Sequence, residues 1–218
     1  MAKRFELIVF DWDGTLLDSA GAIVACIQAA AIDLGMAPPS EERARHVIGL
    51  GLGEALRHAL PELGQDRHME LADRYRHHYL SRDHELPLFQ GAAEMVRSLA
   101  ADGYLLAVAT GKSRKGLERA FATSGLRDYF HASRCADECH SKPHPQMLEE
   151  LMAELGVPPG LTLMVGDTTH DLQMARNAGV GALAVAYGAH PRELLEELSP
   201  LLCAASTAEL ADWLRQHG

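Results

Sequence analysis

Phe5-Glu6-Leu7-Ile8-Val9-Phe10-Asp11-Trp12-Asp13-Gly14-Thr15 joins a short apolar run to two carboxylates and a glycine. After Glu6 the run shows no polar alternation, the pattern of a strand covered on both faces. Where it ends, side-chain alternation places Asp11 and Asp13 on the same side of an extended chain. Two carboxylates about 4 Å apart repel by on the order of 4 kcal/mol at intermediate dielectric. A cation between them, or a division of labour between a nucleophile and an acid, is a reason to tolerate that repulsion. A helix N-cap with a solvated turn is the plainer alternative. Gly14 lets the backbone turn at once.

Three later segments bear on the choice. Tyr104-Leu105-Leu106-Ala107-Val108-Ala109 ends in Thr110-Gly111-Lys112-Ser113. Ser141-Lys142-Pro143 opens a stretch of helical pattern, and Leu161-Thr162-Leu163-Met164-Val165 ends in Gly166-Asp167-Thr168-Thr169-His170-Asp171. The apolar runs at 6–10, 104–109, 161–165 and 181–186 alternate with helical periodicity. This predicts an α/β fold built on a doubly wound parallel sheet. Ligands of such sheets sit at the carboxyl ends of the strands. Three of the four segments fall there, and a helix start at Lys142 can reach the same edge.

Residues 16–85 read differently. Ala20, Ile23, Val24, Ile27, Ala31 and Leu34 follow helical spacing, Pro38-Pro39-Ser40 restarts the chain, and a further helical stretch spans about 66–81. Gly49 to Gly53 reads as a flexible connection before Leu56 and Leu60. The segment is expected to be a four-helix cap domain (16–85) over a catalytic core formed by 1–15 and 86–218. Leu86-Pro87-Leu88-Phe89-Gln90-Gly91 returns the chain to the core. The last helix starts at a capping box, Ser206 with Glu209, and buries Leu210, Trp213 and Leu214.

With 218 residues, 47% of them hydrophobic, the chain supports one substantial core, or a core plus a small satellite. A formal net charge of -10 argues against nucleic acid and anionic membrane as partners. The apolar run after Lys3 and Arg4 is broken by Asp11 and is too short for a signal peptide, and no stretch reaches membrane length. A cytoplasmic monomer or homodimer is expected. Cys26 and Cys203 lie among apolar neighbours and read as small core residues. Cys135 and Cys139, beside His140 and His144, lack the spacing and the second pair of a zinc knuckle. The six histidines from His46 to His84 read as a polar helical face.

The chemistry follows from residue types. Asp11 can attack phosphorus as a nucleophile, and Asp13 can serve as general acid and then base. Asp167 and Asp171 complete a cluster of hard oxygen ligands that suits Mg²⁺ rather than zinc. Thr110 offers a hydroxyl to a phosphoryl group, and Gly111 with the amides after it reads as a helix-start anion site. Lys142, one of only four lysines, would set a fixed positive charge against Asp11.

In order and spacing, Asp11 with Asp13, Thr110, Lys142 and the Asp167–Asp171 acidic pair resemble the four motifs of the haloacid dehalogenase-like hydrolase superfamily, over essentially the whole chain. The resemblance implies a Rossmann-like core with an α-helical cap inserted after the first motif. It also implies Mg²⁺ held by the Asp11 and Asp167 side chains and the Asp13 backbone carbonyl, with Asp171 acting through water or holding Lys142. Dehalogenases of the superfamily resemble D-x-Y and phosphonate-cleaving members D-x-A, whereas Asp13 is the second acid of phosphatases and phosphomutases. The cap has no lysine for phosphonatase chemistry. Ala22 to Cys26 lacks the early cap histidine that such phosphomutases resemble. The pattern looks like the phosphoglycolate phosphatase-like subgroup, although Thr110-Gly111-Lys112 departs from its usual Thr-Asn-Lys.

The expected function is therefore Mg²⁺-dependent hydrolysis of a small phosphorylated metabolite through an aspartyl-phosphate. Phosphoglycolate, pyrophosphate and nucleoside monophosphates are candidate substrates. A phosphomutase and a non-catalytic phospho-ligand-binding protein are the alternatives. Arg43, Arg45, His46 and Arg57 flank the glycine-rich segment and read either as solvated helix surface or as cap contacts to a substrate carboxylate or second phosphate.

Overall fold

A computed structural model describes residues 4–217; the outermost ends of the two core segments, Lys3 among them, lie outside the described residues. The sheet has six parallel strands in the order β3-β2-β1-β4-β5-β6. The strands are β1 (Leu7–Phe10), β2 (Leu105–Thr110), β3 (Ala132–Cys135), β4 (Thr162–Gly166), β5 (Gly181–Val185) and β6 (Cys203–Ala204). The chain runs outward from β1 through β2 to β3, then crosses back to β4 on the other side of β1. The β1–β4 boundary is thus the point where strand order reverses, and a crevice opens there.

Alternation along the strands feeds two cores. Ile8, Phe10, Leu106, Val108, Leu163 and Val165 face one side, packed with α5 (Ala92–Ala101), α6 (Arg114–Ser124) and α10 (Thr207–His217). Leu7, Val9, Ala107, Ala109 and Met164 face the other, against α7 (Gln146–Leu155) and α8 (Thr169–Ala178). A short α9 (Arg192–Glu196) covers β5 and β6 through Leu195. Ser206 accepts from the Glu209 amide at the start of α10, while the Glu209 carboxylate reaches the Ala205 amide. Leu210 and Leu214 are buried there and Trp213 only partly so.

The sequence runs missed β3 and β6. β3 carries Ser133 and Arg134, both half-buried on an edge strand, and β6 has only two residues. Neither can make an apolar run. Cys135 is consequently a wholly buried strand residue, and Cys203 is half-buried rather than a core residue.

Between β1 and α5 the chain forms α1 (Ala20–Asp33), α2 (Glu41–His46), α3 (Leu52–Ala59) and α4 (His68–Leu80). They share an apolar cluster of their own, with Ile23, Ile27, Leu56, Leu60 and Leu71 at its centre. Ser40 caps α2 by accepting from the Arg43 amide. Gly53 lies inside α3, so the flexible connection is shorter than the glycine spacing suggested. The two chain crossings into this unit pair with each other: Asp18 N donates to Pro87 O and Phe89 N to Leu16 O, both at 2.9 Å. The histidines do not make one polar face. His78 pairs with Asp33 of α1, whereas His46 stacks on His190 at 5.2 Å. No helix among the described residues is long and apolar enough to cross a membrane.

Candidate active site

Asp11 follows β1 directly, its amide donating to Val165 O of the neighbouring β4. Trp12 turns the other way, into the core, with its ring edge-on to Phe121 at 5.2 Å. This alternation puts Asp11 and Asp13 together on the crevice side, where both line a cavity between the sheet and helices α1, α3 and α4. Gly14, at φ +77, completes the turn, and a Cβ there would overlap the Asp167 carboxylate. Both chirality and space therefore demand glycine at this position.

Asp167 follows β4. Its Oδ1 accepts from Thr15 Oγ1 at 2.9 Å and its Oδ2 from the Ala189 amide at 2.7 Å. Asp171, in the first turn of α8, spends one oxygen on a capping box with Thr168 and the other on Lys142 Nζ at 2.6 Å. Asp11, Asp167 and Asp171 are all buried, with one carboxylate oxygen of each lying within 4.8 Å of the others. Lys142 Nζ is 2.9 Å from Asp11 Oδ1, an ion-pair contact off the angles of a hydrogen bond. Both Asp11 oxygens are thus buried without a hydrogen-bond donor. Unsatisfied buried carboxylate oxygens beside a second acid form a donor set that fits a hard divalent cation.

The electrostatics reflect that crowding. Burial pushes the Asp11 carboxyl up to about 7 against the pull of Lys142, and Asp171 and Asp13 add to the rise. Asp167 is held well above the usual carboxylate range by burial, then by Asp11 and Asp171. Burial alone would lower Lys142, but the charges of Asp11 and Asp171 outweigh it and hold the ammonium protonated.

Lys142 is not at a helix start. It lies in the loop between β3 and α7, which begins at Gln146, and its side chain is fully enclosed. The helix-start anion site is also different from expectation. α6 begins at Arg114, three residues past Gly111, and two of its early amides are already engaged: Arg114 N with Asp137 and Gly116 N with Ser113. Lys112 N donates to Thr110 Oγ1 at 3.2 Å, a bond that leaves the Thr110 hydroxyl hydrogen uninvolved.

Arg43, Arg45, His46 and Arg57 do not line the cavity. Arg45 pairs with Glu41 and Arg43 with Glu62 on the surface, and Arg57 is exposed. Helix α2 turns Ala44 inward, so its charged residues face solvent. The carbonyl of His46 instead accepts from His170 Nε2 at 2.8 Å and His190 Nε2 at 3.2 Å, tying α2 to the core.

Sequence reasoning gave no role to Lys112, Tyr79 or Ser19. Lys112 Nζ sits 2.9 Å from Asp13 Oδ2 and donates to Tyr79 OH at 2.9 Å. Ser19 Oγ donates to Asp13 Oδ1 at 2.7 Å. Asp13 is therefore fixed on one side by the core and on the other by the start of α1. Tyr75 and Tyr79 lie four apart on α4 and stack at 5.7 Å, a spacing that was visible in the sequence.

Gly111 marks a close approach of the two units. A Cβ there would lie 2.5 Å from Leu50 O and 2.6 Å from Gly49 O. Backbone on a packed loop cannot yield cheaply, so Gly111→Ala is expected to push the 49–51 loop outward. Misplacement of about 1 Å near a reacting centre costs about 10²-fold, so kcat/KM for turnover in this cavity should fall on that order, and the clash should lower the melting temperature by about 2–4 °C. Unchanged kinetics would show that the close approach has no part in turnover.

The family model for haloacid dehalogenase-like hydrolases matches residues 8–185. The chain is 36% identical to the probable phosphatase IndB of Dickeya dadantii, over 94% of this chain and 91% of that protein. It is 31% identical to a phosphoglycolate phosphatase of Vibrio vulnificus, over 96% of both. A crystal structure of a predicted phosphoglycolate phosphatase from Haemophilus somnus superposes with a TM-score of 0.85 at 25% identity, covering all of both chains.

Proposed function

This chain belongs to the haloacid dehalogenase-like hydrolase family, and from that premise we propose that it is a Mg²⁺-dependent phosphatase that hydrolyses a small phosphomonoester through an aspartyl-phosphate on Asp11. The observation that carries this reading is Asp11 itself: a buried carboxylate at a strand end, facing a cavity, with neither oxygen hydrogen-bonded and a protonated lysine alongside.

Asp11 attacks phosphorus, and the bond to the leaving oxygen breaks as Asp13 gives that oxygen its proton. Water then attacks the phosphorus of the aspartyl-phosphate. Asp13, now a carboxylate, takes the water proton, and the Asp11 oxygen–phosphorus bond breaks to release phosphate. Ser19 and Lys112 hold Asp13 for both transfers. Lys142 lies against Asp11 throughout, so negative charge gathering there meets a fixed cation in a water-poor setting. The Thr110 hydroxyl is free to donate to a phosphoryl oxygen.

The Asp11 and Asp167 carboxylates, with the Asp13 main-chain carbonyl, would hold Mg²⁺. Asp171 is taken up by Lys142 and Thr168 and serves to fix that lysine. Bound Mg²⁺ would neutralise the acidic cluster and the phosphoryl oxygens together.

Chelation tests this. EDTA should abolish phosphate release and Mg²⁺ restore it, whereas restoration by zinc alone would overturn the oxygen-ligand argument. Stability gives a second readout. Cation binding must displace the proton that Asp11 retains below about 7. Mg²⁺ should therefore raise the melting temperature more at pH 8 than at pH 5.5. An equal rise at both would remove Asp11 from the cation site.

A further inference from the structure

The cavity over Asp11 has a volume of about 590 Å³, in the range of pockets that enclose a whole organic metabolite. Its two sides differ in chemistry. The floor, from the strand ends, carries Asp11, Asp13, Thr110, Lys112 and Ser141. The roof, from α1, α3, α4 and the loop before α3, carries Ile23, Ile27, Ile48, Leu50, Leu56 and Tyr75. Tyr75 and Tyr79 stack at an interplanar angle of 17°, which makes a flat aromatic shelf beside the aliphatic residues.

A carboxylate on the leaving group would need a cation over Asp11, and the cations lining this cavity are otherwise engaged or exposed to solvent. Lys112 is held by Asp13 and Tyr79, and Arg119 by Asp83 at 3.0 Å. Arg76 is exposed and paired with Asp73, and Lys115 is exposed. A polyhydroxylated leaving group would need several side-chain partners above the phosphoryl site. Among the described roof residues only Glu54, Arg76 and the tyrosine hydroxyls are polar, and the Tyr79 hydroxyl already accepts from Lys112. Buried hydroxyls or a carboxylate left unpaired there would be penalised, whereas a hydrocarbon or ring face would be desolvated favourably.

We propose that the substrate is a phosphomonoester of an apolar, ring-bearing alcohol larger than glycolate, whose ring packs under the isoleucines and leucines of the roof and against Tyr75. The proposal rests on the phosphatase reading and narrows it to a class of leaving group.

The test compares kcat/KM for benzyl phosphate, phosphoglycolate and glycerol 3-phosphate with Mg²⁺. All three release an alkoxide oxygen, so the contrast reports on the cavity more than on leaving-group reactivity. Acetyl phosphate, reactive and small, is run beside them for wild type and Asp11→Asn. A hydrophobic pocket discriminates by about 10-fold or more per methylene, so benzyl phosphate should exceed the other two esters by about 100-fold. Tyr75→Ala should reduce turnover of benzyl phosphate about tenfold more than that of acetyl phosphate. Asp11-dependent turnover of acetyl phosphate, with phosphoglycolate or glycerol 3-phosphate equal to or better than benzyl phosphate, would overturn the substrate class and leave the phosphatase reading standing. No turnover even of acetyl phosphate would overturn the phosphatase reading, and the substrate class with it.

Discussion

Asp11→Asn is expected to lower phosphate release by about 10⁴-fold or more while leaving the metal-free protein at least as stable as the wild type at pH 8. The first part follows from the loss of the attacking oxygen. An amide cannot form the phosphoenzyme, and Asp13, on the same side of the chain, is held in place by Ser19 and Lys112. The second part follows from the environment of the carboxylate. Asp11 rises from an ordinary value of 3.8 to about 7 in the folded protein, chiefly through burial. A folded-state value above the unfolded one means that its contribution to stability is fully present below about pH 4 and is lost as the pH rises through 7. Asparagine has the same shape and does not titrate. The variant's relative stability should therefore climb across that window, by a few kcal/mol at most, at about 1.4 kcal/mol per pH unit. Lys142 keeps Asp171 as a partner in the variant, so no unpaired cation is created. Phosphate release and melting temperature at pH 5 and pH 8, without metal, check both parts. Near-normal release would sink the nucleophile assignment. A stability difference that stays flat with pH would sink the desolvation account.

The legible parts of this fold are those in which local pattern and burial coincide. β1, β2, β4 and β5 lie inside the sheet with helices on both faces, and that environment forces unbroken apolar runs. β3 and β6 sit at the two edges, where half the side chains meet solvent, and Ser133 and Arg134 carry no strand signal. The acids were legible for a related reason. A strand end at the order reversal is where ligand-facing residues must lie, and Asp11 and Asp167 are the first residues past two adjacent strands. The cap contacts were not legible, because a short charged helix does not reveal which way it rolls. Arg57 is turned to solvent and Arg45 left half-exposed by the burial of Ala44, Ala55 and Leu56 beside them, which pack into the apolar cluster shared with α1 and α4. Lys112 was overlooked because its two partners, Asp13 and Tyr79, lie about a hundred and about thirty residues away.

Lys142→Met should be the most damaging substitution for stability and activity together. The side chain is wholly enclosed and lies against two carboxylates, 2.9 Å from Asp11 and 2.6 Å from Asp171. Methionine fills much the same volume and removes only the charge. Cutting one partner out of a buried ionic group typically costs about 3–5 kcal/mol, because the charges left behind have lost their counter-ion without regaining water. Here the remaining acids are Asp11, Asp171 and, within the same cluster, Asp167. They can escape by taking up protons, so the loss should be largest at pH 8 and shrink toward pH 5. Mg²⁺ should recover part of it at pH 8, since a cation at Asp11 and Asp167 relieves the same repulsion from the other side. Recovery should be incomplete, because the Asp171 oxygen that faced Lys142 stays unpaired. Turnover should fall about 10³-fold, in line with removal of a fixed charge aimed at a developing anion. Lys142→Arg should rescue little, since a planar guanidinium is too broad for a position that leaves the ammonium no exposed surface. Urea titrations at pH 5 and pH 8, with and without Mg²⁺, distinguish these terms. A loss of stability independent of both pH and Mg²⁺ would mean that Lys142 acts through packing alone. Full activity in the arginine variant would mean that the site needs a positive charge and not this particular geometry.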